Sequence, residues 1–379
     1  MRDNRRRRAN FASETELARV PRLARRYWRA TQAQSRRVSA FQETGDAMTS
    51  FAKKGWRIAL PLIIVLVVAA LFAIWVGYQP LNPFALPEDE ATRTLFFRLR
   101  LPRVVMAAVV GASLALVGAA LQALFRNPLA EPLTLGVSGG GALGAGAALA
   151  LGWGTRVVGI PIVFLSSFIG ALLAVWVVYR LARTGTVVLP GALLLAGVVV
   201  NLISAAGVVI IQYFADFTRA LQILRWTIGT LDVVGFDLIV RMLPLLVPGW
   251  LVLFYVARDL HLIAVDEETA ASLGVDVRRV EQLVYVAASL IVGVTVAVGG
   301  TIGFVGLIVP HAARLLFGED VRLLLPSSFL LGAAFLMVAD AIARTALGAG
   351  ELPVGAITAL IGGPVFLWLL RREQRYAAL

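Results

Sequence analysis

The chain has 379 residues, 59% of them hydrophobic, with a mean hydropathy of +0.82. A water-soluble protein could not hide that much apolar surface, so the composition points to a bilayer, where apolar stretches of roughly 20 residues must be helical to satisfy their own backbone. Cysteine is absent, which excludes disulfides and thiolate metal sites, and the two histidines, His261 and His311, have no metal-ligand spacing; the formal charge of +12 would suit nucleic acid, but its location argues otherwise.

That charge is concentrated at the start. Residues 1–47 carry twelve arginines and five acidic residues and no long apolar run. Such a segment reads either as a basic arm against anionic lipid headgroups or as an upstream extension with little structure. No cleavable signal pattern is present, and nucleic acid is not an expected partner. MTSFAKKGWR, 48–57, is a short basic flank to a membrane helix, so 1–57 is predicted to be a poorly ordered cytoplasmic extension.

Apolar runs follow at 58–78, 104–125, 133–152, 157–179, 191–212, 238–257, 280–299, 302–317, 324–347 and 353–371. They predict an all-α polytopic membrane protein with about ten transmembrane helices. Lys53, Lys54 and Arg57 place the N-terminus in the cytoplasm. An even number of crossings returns the C-terminus there, in agreement with Arg371, Arg372 and Arg375, and leaves 373–379 as a cytoplasmic tail. Pro128, Pro132, Pro310 and Pro353 are expected to break helices near the membrane boundaries.

In that orientation RLRLPR puts Arg98, Arg100 and Arg103 at the outer end of the second helix, and Arg344 lies at the outer end of the ninth. External arginines run against the positive-inside rule. Each alone could snorkel to lipid phosphates; several at matching helix ends suit forks that accept carboxylates from an external partner. GVSGGGALGAGAALALG, 136–152, and GTIGFVGLIVP, 300–310, supply small residues for close helix packing, and neither contains a phosphate-loop pattern. The polar residues inside the runs are Gln122, Asn201, Gln212, His311, Arg314 and Asp340. Asp340 precedes Arg344 by one helical turn, so it serves either a structural pair or a transport path. A proton-coupled carrier built on these two residues is the alternative class. No catalytic constellation has working spacing, so the chain is not expected to be an enzyme.

The stretch AVDEETAASLGVDVRRVE, 264–281, interrupts the apolar pattern on the cytoplasmic side. Over 258–281, Arg258, Arg278 and Arg279 face Asp259, Asp266, Glu267, Glu268, Asp276 and Glu281. Acidic residues before TAASL and Gly274 after it are start and stop signals for a short helix. It is either a solvated turn or a docking helix for a cytoplasmic partner.

Together these stretches resemble the FecCD-type permeases of bacterial ABC importers, which move iron–siderophore complexes, haem and cobalamin. The residues that carry the resemblance are RLPRVVMAAVVGASLALVGAALQALFRNPLAEPLTLGVSGGGALGA (100–145), LLLAGVVVN (193–201), DEETAASLGV (266–275), GTIGFVGLIVPHAARLLFG (300–318) and ARTALGAGELPVGAITALIGGPVFLWLL (343–370), within about residues 58–372. The resemblance implies a type II ABC importer permease in the inner membrane, working as a homodimer with a second copy of itself. It implies two cytoplasmic ATPase subunits carrying ATP and magnesium, a periplasmic substrate-binding protein, and no cofactor on this chain. It assigns ATPase coupling to Asp266, Glu267, Glu268, Thr269, Ala270, Ala271, Ser272, Leu273 and Gly274. Binding-protein docking falls on Arg100, Arg103 and Arg344, and the cytoplasmic gate on Pro190 and Gly191. The particular chelate is not specified by these motifs.

Overall fold

A bilayer leaves backbone groups no water to bond, so the apolar runs are expected to close their hydrogen bonds internally. In the computed structural model, which describes residues 58–77, 90–153, 156–157, 159–184, 187–188, 190–347 and 351–377, each of the ten runs contains a helix, although 157–179 begins in a two-stranded pairing, Arg156–Val157 with Ile160–Pro161. The elements are α1 (Ile58–Trp75), α2 (Glu90–Leu124), α3 (Val137–Ala150), α4 (Ile162–Ala182), α5 (Pro190–Phe214), α6 (Phe217–Ile228) and α7 (Asp237–Tyr255). They continue as α8 (Ala257–Val265), α9 (Glu267–Ser272), α10 (Val277–Gly299), α11 (Val305–Phe317), α12 (Val321–Thr345) and α13 (Val354–Ala377). Of these, α1, α2, α4, α5, α7, α10 and α12 are long and apolar enough to cross a membrane. The basic extension and its flank, 1–57, lie outside the described residues.

Helix α2 is the axis of the unit formed by Leu60–Leu379. It is buried along most of its length, whereas α1, α4, α5 and α7 leave most of their residues exposed or half-buried, as lipid-facing or subunit-facing helices do. Small residues set its packing. A Cβ on Gly111 would lie 2.2 Å from the Gly332 carbonyl of α12, and one on Gly118 would lie 1.9 Å from the Gly306 carbonyl of α11. At 1.5 Å per residue, Arg103, where the buried part of α2 begins, and Arg126, just past its last residue, are about 35 Å apart.

Two of the predicted apolar runs form short helices. α3 has 14 residues and α11 has 13, so each spans about 20 Å of a hydrocarbon layer of about 30 Å. Each is preceded by irregular chain that is covered by protein, including buried Pro132, Leu135 and Ile302. Two of the polar residues predicted inside the membrane bond the backbone of these segments. Gln122 Nε2 donates to the carbonyls of Ala130 (3.3 Å) and Gly306 (3.1 Å). Asn201 Nδ2 donates to Leu133 O at 2.9 Å, while its Oδ1 accepts the Gly139 N–H at 2.9 Å.

The structure departs from the sequence expectation at four places. α2 begins at Glu90, well before 104, passing through a π-helical turn at Leu95–Arg100. α6 was not expected, because Arg219 and Arg225 lower its hydropathy; Asp216 caps it by accepting the Arg219 N–H at 3.0 Å. Pro310 does not break a helix: it lies inside α11, as Pro326 does in α12, since packed neighbours tolerate the lost bond. α13 continues through 372 to Ala377, without a break before the expected tail.

Candidate docking sites at the two ends of α2

Near Arg103, two helices and two connections bring their charges together. Arg103 on α2 places Nε 3.0 Å from Asp340 Oδ1 on α12, and Nη1 2.7 Å from Glu351 Oε2 and 3.6 Å from Asp232 Oδ1. Arg344, one turn beyond Asp340, has Nε 3.0 Å from Asp340 Oδ2; that pair is ionic, since the Nε–H is directed to the Asp340 carbonyl at 3.4 Å. Arg344 Nη2 also donates to Ala73 O of α1 at 2.8 Å. Arg100 Nη1 donates to Ile74 O of α1 at 3.2 Å. Asp340, Arg100 and Arg344 are buried, at 0%, 7% and 4% exposure. The three expected docking arginines thus converge, but on internal carboxylates and carbonyls rather than as bare surface charges. They line one cleft of about 280 Å³ with Gly77, Leu95 and Glu351. Arg98 is exposed and does not line it.

At the other end of α2, the acidic stretch forms the short helix expected. Asp266 caps α9 by accepting the Thr269 N–H at 2.7 Å. Bonds from the Thr269 hydroxyl and N–H hold the Asp266 carboxyl below the usual carboxylate range. Gly274, at φ +88°, ends the segment in a conformation that suits glycine. Ala270 is the buried anchor, while Glu267, Glu268, Thr269, Ala271, Ser272, Leu273 and Gly274 are exposed. Glu267 Oε2 lies 3.2 Å from Arg126 Nη2, so α9 is tied to the end of α2. Val265 and Leu273, at 71% and 66% exposure, place apolar surface beside the acidic turn. A cavity of about 720 Å³ behind α8 is lined by Arg126, His261, Val265, His311, Arg314 and Asp320 among others.

Between the two ends lies Glu131, a residue the sequence reading passed over. Its carboxylate accepts the Phe304 N–H, joining the α2–α3 connection to the start of α11. Arg314 Nη2 donates to Gln122 Oε1 at 3.0 Å on the same path. Glu351 and Asp232 were also missed; a lone acid in a connection carries no periodic signal, and only a partner on another element reveals it. The proposed gate residues, Pro190 and Gly191, begin α5; Gly191 is exposed, and a Cβ there would meet nothing within 4 Å.

Residues 60–372 match the FecCD transport family. The chain belongs to this family. Among similar relatives of this FecCD permease is the hemin transport system permease protein HmuU of Yersinia pestis, 37% identical over 320 residues, covering 83% of this chain and 96% of the relative. The cobalamin import system permease protein BtuC of Halobacterium salinarum is 42% identical over 306 residues, covering 80% of each. A solved metal-chelate type ABC transporter in an inward-facing conformation superposes with a TM-score of 0.73 at 30% identity, covering 84% of this chain and 99% of that one. The FecCD permease is therefore the membrane subunit of an ABC importer, a multi-pass protein of the cytoplasmic membrane. It is not itself an enzyme, because ATP hydrolysis belongs to a separate subunit of such importers.

Proposed function

We propose that this FecCD permease takes up an iron chelate (ferric siderophore or haem) or cobalamin, handed over by a periplasmic binding protein, with its N- and C-termini in the cytoplasm. Two copies of the chain form the path, and two ATPase subunits seat on α9. The observation that carries this reading is the pair of polar ends joined by one buried helix, α2. The arginine cleft at one end offers guanidinium groups to carboxylates on the binding protein. At the other end, α9 presents an acidic first turn between exposed Val265 and Leu273, a surface suited to a partner cleft with a basic rim.

Transport then proceeds by alternating access: each partner shifts the balance between outward- and inward-open arrangements through its differing affinity for the two. ATP and magnesium reside on the ATPase. Pro190 and Gly191 belong to the cytoplasmic gate in this scheme, where Gly191 leaves room for a neighbouring helix to approach. A bulky chelate suits a largely apolar path, and the relatives named for hemin and cobalamin support that class.

The testing experiment replaces Glu267 and Glu268 with Lys and follows co-purification of the ATPase and chelate uptake in proteoliposomes. Loss of both, with the permease still folded, is expected. Unchanged ATPase association would overturn the assignment of α9. Uptake assays with haem, a ferric siderophore and cobalamin in turn separate the substrates.

A further inference from the structure

We infer that Glu351 and Asp232 are internal stand-ins for the carboxylates of the docking partner, and so set its affinity and its release. The inference rests on the docking role proposed for Arg103. Its basis is the asymmetry of that guanidinium. The Nε edge faces Asp340, whose side chain is 1% exposed and is also bound by Arg344. The Nη1 atom faces Glu351 and Asp232, whose side chains are 41% and 50% exposed. An incoming carboxylate that approaches the Nη1 side of Arg103 therefore meets these two already in place.

Such a partner exchanges one ion pair for another. The number of pairs is conserved, so the electrostatic gain on docking is small and the complex remains reversible, as a delivery protein requires. The exchange also filters partners: a surface without a well-placed carboxylate leaves Glu351 where it is, at 2.7 Å. Asp232 has a second cation to hold it when displaced, since Arg225 Nη2 of α6 lies 3.5 Å from its Oδ2. Asp232 also lies on the connection between α6 and α7. That connection is fastened by Thr230 N–H to Gly299 O (2.9 Å), Gly235 N–H to Arg98 O (2.8 Å) and Gly355 N–H to Gly229 O (3.2 Å). Occupation of Arg103 from outside thus acts on a segment tied to α2, α10 and α13.

The test uses the full chain with its ATPase subunits in lipid nanodiscs, and as probe the soluble binding protein that stimulates its ATPase activity. Glu351→Gln with Asp232→Asn should tighten docking by about two- to tenfold, chiefly through slower dissociation. Glu351→Asp, which keeps the charge, should stay near wild type. If the double variant docks no more tightly while Arg103→Ala still weakens docking, the stand-in role is wrong and the docking role of Arg103 survives. If Arg103→Ala leaves docking unchanged, the docking role itself falls, and this inference with it.

Discussion

Asp340 shows how a single buried charge is tolerated. Removing a carboxylate from water is costly unless opposite charges and hydrogen bonds replace the solvent. Here Arg103 reaches it from α2 and Arg344 from its own helix, each with Nε at 3.0 Å. Replacing Asp340 with Asn removes the shared anion from the buried Arg344 guanidinium and from the Nε edge of Arg103. We expect a loss of about 3–5 kcal/mol, read as a lower unfolding temperature in detergent; a variant as stable as wild type would show that the cluster does not hold α2 to α12. The spacing of Asp340 and Arg344 was legible in the sequence. The contact with Arg103 was not, because the two residues are 237 positions apart and only helix packing brings them together.

Among the elements, α9 is the least able to stand alone. Six residues are far below the length at which an isolated helix is stable in water. It persists through its cap, the buried Ala270 and the Arg126–Glu267 pair. Asp266→Ala should therefore raise amide hydrogen exchange across 267–272 severalfold without unfolding the spans; unaltered exchange would refute the cap's importance. Because its folded carboxyl is held below the ordinary aspartate range, the cap's contribution is present above that range, about pH 4, and is lost as pH falls through the lowered value. The sequence announced α9 by its acidic residues and a glycine stop. It did not announce α6, whose arginines hide it from a hydropathy reading, although Asp216 before it and Gly229 after it are equally good end signals.

At the scale of the molecule, close backbone contact ties α11 and α12 to the axis. Gly118→Val would force a side chain into the Gly306 carbonyl, where even a Cβ has only 1.9 Å. The expected result is a loss of about 1–3 kcal/mol from overpacking, with uptake abolished; normal uptake would mean that α11 can move away from α2 at little cost. Composition and apolar runs alone determined a polytopic helical protein, since a bilayer permits few other ways to satisfy backbone, and the ordered motifs pointed to its family. Start and stop signals determined α9 because caps are local. What only the tertiary structure decided is the pairing of distant groups: Arg103 with Asp340, Glu351 and Asp232; Gln122 and Asn201 with the irregular backbone; Glu131 with Phe304. The physical reason is common to all of them. A buried polar group needs a partner, and which partner it meets depends on how the helices pack, a property that hydropathy and local spacing do not encode.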